Sequence, residues 1–302
     1  KLIKSEVPQD LDIHLICDNY ATHKHPKVQK WLARHPRFHI GESLLPTNLP
    51  LFERLGVAGE VRAIGMGKWG AEFVSPYHDM AQAFHFAEAW DKSMPYAYQV
   101  KRAEFDTVLI RNAARKGVMV HEGCKVRAVD FLPDDGGAVV LARHDDGREE
   151  AWQARFVVDA SGRDTFLANR FQIKQRNPRH NSSAVYGHFA GARRNAGQAE
   201  GNITIFWFEH GWFWFIPMQG GVTSIGMVTW PYFMKTRGQR SLAQFLADGI
   251  ALCPGLAERL RGAELVNEVE ATGNFSYVSE RNDGPNYLLL GDAYAFIDPV
   301  FS

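Results

Sequence analysis

Apolar and polar positions alternate with a period of two through much of the chain's second half, a pattern that predicts strands. The strongest case is Gly211-Trp212-Phe213-Trp214-Phe215-Ile216-Pro217. A strand there puts Trp212, Trp214 and Ile216 on one face and Phe213 and Phe215 on the other, with Pro217 closing the run. Residues 185–190, 202–209, 212–218 and 222–229 read as antiparallel strands, with Gly220-Gly221 as a hairpin turn. Residues 125–131, 138–144 and 149–153 read as a three-stranded meander, its turns marked by Asp134-Asp135-Gly136-Gly137 and Asp145-Asp146-Gly147. Helical spacing is found elsewhere. Residues 51–56 form a short amphipathic helix stopped by Gly56. Phe105, Leu109 and Ala113 share a helix face ended by Gly117, after which Val118-Met119-Val120 is expected to open a strand. Residues 242–260 are helical and broken at Pro254-Gly255.

The 302 residues are 45% hydrophobic, enough for one large or two medium cores. Lysine and arginine number 34 and so do aspartate and glutamate, so the chain has no net basic field toward nucleic acid or a membrane surface. Cys17, Cys124 and Cys253 are odd in number and far apart, which predicts a reducing, cytoplasmic setting without a disulfide framework. No signal peptide and no spanning apolar run is present. The sequence opens on Lys1 and stops just after Asp298-Pro299-Val300-Phe301. Both ends are expected to be cuts through a longer frame.

Residues 1–37 form a segment of their own. Residues 11–16 predict a strand ending at Asp18-Asn19, and Pro26 opens a helix faced by Val28, Trp31 and Leu32. Seven basic residues stand against four acidic ones here, a local charge of 7 − 4 = +3. The words from Ile13 to Lys24, with Cys17-Asp18-Asn19-Tyr20 at their centre, resemble the second catalytic strand of DDE insertion-sequence transposases. In that family the aspartate matching Asp18 helps hold magnesium. Two-metal chemistry needs further carboxylates that this chain lacks, so the segment is expected to be a remnant. No metal site is expected, and nucleic acid is not expected as a partner. The pattern changes near residues 36–40.

Beyond residue 40 a different set of motifs follows in order. Gly41-Glu42-Ser43-Leu44-Leu45-Pro46 is a loop before a helix. Arg102 stands just before the helix of Phe105, Leu109 and Ala113. Residues 155–163 send an apolar strand into Asp159-Ala160-Ser161-Gly162, where small residues let a dinucleotide approach the backbone. Residues 286–293 send a second apolar strand into Gly291-Asp292-Ala293, expected at a helix start, with Ile297-Asp298-Pro299 beyond. Together with the Trp-x-Trp-x-Ile-Pro run these motifs resemble the flavin-dependent halogenases of the tryptophan halogenase-like FAD monooxygenase superfamily, over residues 38–302. The segment Lys68-Trp69-Gly70-Ala71-Glu72-Phe73 resembles the active-site lysine region of the same family.

The resemblance implies an α/β protein: a Rossmann-like FAD-binding fold of the GR2/PHBH type, incomplete, with an antiparallel β-sheet substrate domain. The expected order is 1–37 transposase-like remnant, 38–95 flavin- and substrate-proximal segment, 96–166 FAD-binding segment with the meander, 167–280 substrate domain, and 281–302 a second FAD-binding segment. It implies FAD used as FADH2, with O2 and chloride or bromide, and a separate flavin reductase as partner. Flavin hydroperoxide and halide would halogenate a small aromatic substrate of the phenol, pyrrole or indole class, free or carrier-bound. Lys68 is the implied catalytic residue. Glu42, Ser43, Arg102, Asp159, Gly162, Gly291, Asp292 and Pro299 are the implied cofactor contacts. Trp212, Trp214, Ile216 and Pro217 form the implied barrier between flavin and substrate, and Phe301 and Ser302 the halide site. Two readings stay open beside it: a non-halogenating FAD monooxygenase, and an inactive transposase–flavoprotein hybrid.

No strand-linked Gly-x-Gly-x-x-Gly, the turn that seats a pyrophosphate on a helix N-terminus, occurs in the 302 residues. Gly65-Met66-Gly67-Lys68-Trp69-Gly70 spells the letters but follows no buried strand. The 302-residue chain is therefore expected to bind FAD weakly. A fluorescence titration checks this, and tight stoichiometric binding overturns it.

Overall fold

The computed structural model describes residues 13–17 (as backbone only), 41–77, 80–89, 92–178, 181–273 and 276–296. Contacts divide the chain into two compact units. One comprises Lys1–Thr22, His121–Asn181 and Asn274–Ser302, the other His23–Val120 and Ser182–Gly273.

The first unit is built on a sheet in which Ile13–Cys17, Phe156–Ala160 and Tyr287–Leu289 run parallel, with Asp283–Gly284 antiparallel at one edge. Parallel strands in such a layer read as continuous apolar runs, as Phe156-Val157-Val158 and Tyr287-Leu288-Leu289 do. The strand expected for residues 11–16 is thus formed by Ile13–Cys17. The helix expected from Pro26, and the transposase-like words beyond Cys17, lie outside the described residues. The meander forms as expected: Cys124–Phe131, Ala138–His144 and Glu149–Ala154 pair in sequence order. Its Val129, Val140 and Ala154 share a core with Val157, Leu167, Tyr287 and Leu289.

The second unit carries an eight-stranded sheet. From one edge it runs Glu264–Leu265, Ser183–Ala190, Val222–Thr229, Gly211–Pro217, Ile203–Phe208, Gly70–Val74 and Ala81–His85, with Glu270–Gly273 also paired to Ser183–Ala190. The aromatic strand lies inside this sheet, and all seven of its residues are buried. Phe213 and Phe215 pack with Phe206, Ile225 and Met227 beneath Phe245 and Leu246 of the helix Leu242–Ala251. The capping box of Ser241 and Gln244 starts that helix. The opposite face carries Trp212 and Trp214, whose rings are 6.1 Å apart. Trp214 donates to Ser224 Oγ at 3.0 Å and its ring lies 5.8 Å from Tyr186. Two rows of aromatics, one per face, explain why the alternating run shows no polar side.

Three local expectations differ from the structure. Val118-Met119-Val120 is not a strand, and Met119 is 80% exposed. The helix Arg102–Arg115 is followed by Gly117 at φ +91° and Gly123 at φ +63°, which turn the chain before Cys124 finds a partner strand. Three apolar residues make a strand only where a neighbouring edge is there to pair with them. The residues Gly291–Ala293 form a 3-10 turn followed by the short strand Ala295–Phe296, rather than the start of an α-helix within the described residues. Arg102 is itself the first residue of its helix.

Gly226 sits under the Trp214 indole. A Cβ there would lie 2.0 Å from ring atom Cζ2. Gly226→Ala is therefore expected to lower unfolding stability by about 1–3 kcal/mol, the range for overpacking. Chemical denaturation measures this, and an unshifted midpoint would mean that the ring moves freely.

Candidate active site

The Gly41-Glu42-Ser43 loop lies in the second unit, where three consecutive residues meet three different partners. The chain is held there by backbone bonds: Val100 N–H donates to Glu42 O at 2.8 Å, and Leu44 N–H to Tyr98 O at 2.9 Å. The strand Ala97–Gln99 that anchors the loop also pairs with Met66–Lys68, setting Lys68 opposite Ala97.

Ser43 reaches Lys68. The lysine Nζ lies 2.8 Å from Ser43 Oγ and 2.8 Å from Leu44 O, with the Phe86 ring at 5.3 Å. Lys68 is only 2% exposed. Burial pushes its ammonium down from the ordinary 10.5 to about 8, because the charged form loses hydration that two acceptors do not fully replace. Near neutral pH the residue thus holds a readily removable proton.

Gly41 lies against Arg102. Its φ is +112°, and a Cβ there would come within 2.6 Å of Arg102 Nη1. Glycine alone meets both demands. The guanidinium is oriented by Asp106, whose Oδ1 accepts from Nη2 at 3.0 Å and Nε at 3.2 Å. Glu42 is 3% exposed, and its Oε1 lies 3.0 Å from His188 Nε2. An open groove of about 220 Å³ is lined by Glu42, Lys101, Arg102, His188, Met218 and Asn267 among others. His188 was not among the expected site residues. It sits inside an ordinary period-two strand, and no local pattern separates it from a core histidine.

Trp212, Trp214 and Ile216 share the sheet face that carries His188 and Ser224, since Trp214 is registered with Gly226 and His188 with Ser224. Pro217 ends the strand, and the turn beyond it is clamped by Arg194, which donates to Met218 O at 3.0 Å and Val222 O at 2.6 Å.

In the first unit, the parallel strands Phe156–Ala160 and Tyr287–Leu289 each end in a turn with a left-handed glycine, Gly162 at φ +61° and Gly291 at φ +59°. The two turns pack together. The carboxyl ends of parallel strands are where open α/β sheets bind ligands. Asp159 is fully buried, and its carboxylate is committed to the protein: Oδ1 accepts from Ser161 N–H at 2.9 Å and Oδ2 from Leu167 N–H at 2.7 Å. It shapes the turn. Asp292 is partly exposed, and its carbonyl accepts from Tyr277 Oη at 2.6 Å. Pro299, Phe301 and Ser302 lie outside the described residues.

The first unit has a parallel layer ending in glycine turns, and the second has a large sheet with an aromatic face beside a separate two-stranded pair that carries the buried Lys68, an α/β architecture in two units. The chain belongs to the tryptophan halogenase family, whose family model matches residues 77–302. It is 31% identical over 281 residues to a tryptophan 2-halogenase of Chondromyces crocatus, covering 89% of this chain and 52% of that protein. A 1H-pyrrole-2-carbonyl (peptidyl-carrier protein) chlorinase of Pseudomonas fluorescens is 27% identical over 289 residues, covering 88% of this chain and 64% of the relative. Among solved structures, the myxobacterial chondrochloren halogenase CndH, described as a new variant of FAD-dependent halogenases, superposes with a TM-score of 0.83 at 31% identity, over 97% of this chain and 70% of that one. The chain spans roughly half to two thirds of the length of the curated relatives it matches. No helix among the described residues is long and apolar enough to cross a membrane.

Lys68 has a signature in stability. Its proton is held more weakly in the folded chain (about 8) than in the unfolded one (10.5), so the unfolded state binds more protons between those values. Stability should therefore rise with pH from about 8 to 10.5, by about 3 kcal/mol in full. Lys68→Met should remove that increment, as read by denaturation midpoints across the window. An identical slope in both proteins would contradict the assignment.

Proposed function

We propose that this chain is the core of an FAD-dependent halogenase acting on an activated aromatic ring of the phenol, pyrrole or indole class. The observation that carries the reading is Lys68: buried, with a lowered proton affinity, and hydrogen-bonded to the Gly-Glu-Ser loop. In the first unit the candidates to hold FAD are the turns of Gly162 and Gly291-Asp292, with Asp159 shaping the former. Those of the second unit are Glu42, Ser43 and Arg102. The donor chemistry fits such a group: backbone turns with left-handed glycines, with open space where a Cβ of Gly291 would stand, and a guanidinium lining a groove.

When bound, reduced FAD with O2 supplies the oxidant that turns chloride or bromide into an electrophilic halogen. Lys68 receives it. As the amine it would attack the halogen of hypohalous acid, forming N–X as O–X breaks, with the departing hydroxide and one amine proton leaving as water; as the ammonium it would hydrogen-bond hypohalous acid and orient it. Burial at Ser43 and Leu44 fixes the direction of that amine. Trp212 and Trp214, bulky and packed on a sheet face, are read as a wall that keeps oxidant and ring apart rather than as catalysts.

A further groove, of about 480 Å³, is lined by Phe73, Tyr77, Met80, Gln82, Trp207 and Phe208 among others, with no charged side chain among its described lining. The reading of a phenol- or pyrrole-class ring, free or carrier-bound, is supported by the likeness to the 1H-pyrrole-2-carbonyl (peptidyl-carrier protein) chlorinase. A separate flavin reductase and a cytoplasmic setting belong to the same proposal.

Lys68→Ala in the full protein, supplied with reduced flavin and halide, is expected to lose halogenated product by about 100-fold or more while still consuming reduced flavin. Full halogenation by the variant removes Lys68 from the mechanism. A product of the same mass with and without halide points to the non-halogenating monooxygenase instead.

A further inference from the structure

Glu42 is a buried carboxyl, and a buried charge persists only when other groups hold it. Its partner His188 has a second neighbour that decides the histidine's protonation. Asn267 bonds His188 twice: the His188 backbone N–H donates to Asn267 Oδ1 at 2.7 Å, and Asn267 Nδ2 lies 2.9 Å from His188 Nδ1. The first contact fixes which way the amide points, since a backbone N–H can only donate and therefore faces the oxygen. The NH2 group must then face the imidazole. A donor at Nδ1 requires that nitrogen to be the bare acceptor, so the ring proton sits on Nε2 and points at Glu42 Oε1, 3.0 Å away.

The backbone is built to hold this order. Val266 N–H donates to His188 O at 2.8 Å, tying the segment that carries Asn267 to the strand. Gly187 makes room for it: a Cβ there would meet Leu265 Cδ1 at 2.8 Å and Asn267 Oδ1 at 3.4 Å. Other charged and titratable groups surround the pair. Lys101 and Arg102 line the same groove. Glu270 feels His188, Glu268 and Glu42, and accepts from Tyr186 Oη at 2.6 Å on the sheet face next to Trp214.

We propose that His188 is a positioning residue: kept neutral and protonated on Nε2 by Asn267, it aims the Glu42 carboxylate into the groove and keeps it an unprotonated acceptor. A neutral donor orients Glu42 without cancelling its charge, whereas an imidazolium would. The inference rests on the proposed role of the groove for its purpose, but on geometry alone for the proton.

The test reads the proton directly. In the full chain with nitrogen-15 histidine, long-range proton–nitrogen correlation at neutral pH should show His188 with Nε2 protonated and Nδ1 bare; His188→Gln assigns the signal. Asn267→Asp keeps the shape and the backbone contact but replaces the donor with a carboxylate. It should put a second proton on Nδ1 and raise the His188 titration midpoint by about one unit or more. An Nδ1-protonated or doubly protonated ring in the unaltered chain overturns the proposal, and so does an unmoved midpoint in Asn267→Asp. Where halogenation is assayed, His188→Leu should lower kcat at least ten-fold and His188→Gln, which retains a donor, by less. Equal loss in both overturns the positioning role. The resonance experiment needs neither flavin nor halide, so failure of the halogenase reading leaves the tautomer result standing.

Discussion

The second unit depends on one crowded junction, the three residues Gly41, Glu42 and Ser43. Each meets a group far away in sequence: Arg102, His188 and Lys68. The backbone of the loop is pinned to the strand Ala97–Gln99, and that strand is pinned to Met66–Lys68. Moving the loop by an ångström would release a buried ammonium and a buried carboxylate together and change the space left for the Arg102 guanidinium. Buried ionisable groups tolerate little misplacement, because each lost contact leaves a polar atom without water to replace it. The loop therefore acts as a common reference point for three ionisable side chains of the second unit.

The two faces of the large sheet divide the labour. The Phe213 and Phe215 face is stability: it is filled by Phe206, Met227, Phe245 and Leu256. The opposite face mixes aromatics with polar groups in hydrogen bonds, among them Trp214 on Ser224 and Tyr186 on Glu270. Polar side chains on a buried face cost free energy unless satisfied, and here they are joined in pairs. This division lets one seven-residue strand fill an apolar core on one face and join hydrogen-bonded aromatics on the other. In the first unit Asp159 has a comparable structural duty. A carboxylate that looks like a cofactor ligand in the sequence spends both oxygens on the turn that presents Gly162.

Much of the architecture was legible from residue patterns. Period-two alternation located the three strands of the meander and four of the eight strands of the large sheet to within a residue or two, because a strand's faces repeat in step with the backbone pleat; Gly70–Val74, Ala81–His85, Glu264–Leu265 and Glu270–Gly273 carried no such signal. Glycines at turns and a proline at Pro254 marked helix ends. The miss at Val118-Met119-Val120 came from reading a short apolar stretch without knowing whether a partner edge was near. Asp292 was expected at a helix start, yet a strand-to-turn sequence alone does not distinguish a 3-10 turn from the first turn of an α-helix.

The sequence by itself determined the family, through the order of its motifs, and the alternation that makes Gly211–Pro217 a two-faced strand. These are local properties, written in residue type and spacing. Only the tertiary structure decided that Ser43 and Leu44 hold the Lys68 ammonium, that burial there lowers its proton affinity, and that His188 and Asn267 belong with Glu42. Desolvation and hydrogen-bond partners depend on which residues meet through space. Positions 42, 188 and 267 lie more than seventy residues apart, and no periodicity along the chain reports on such a meeting.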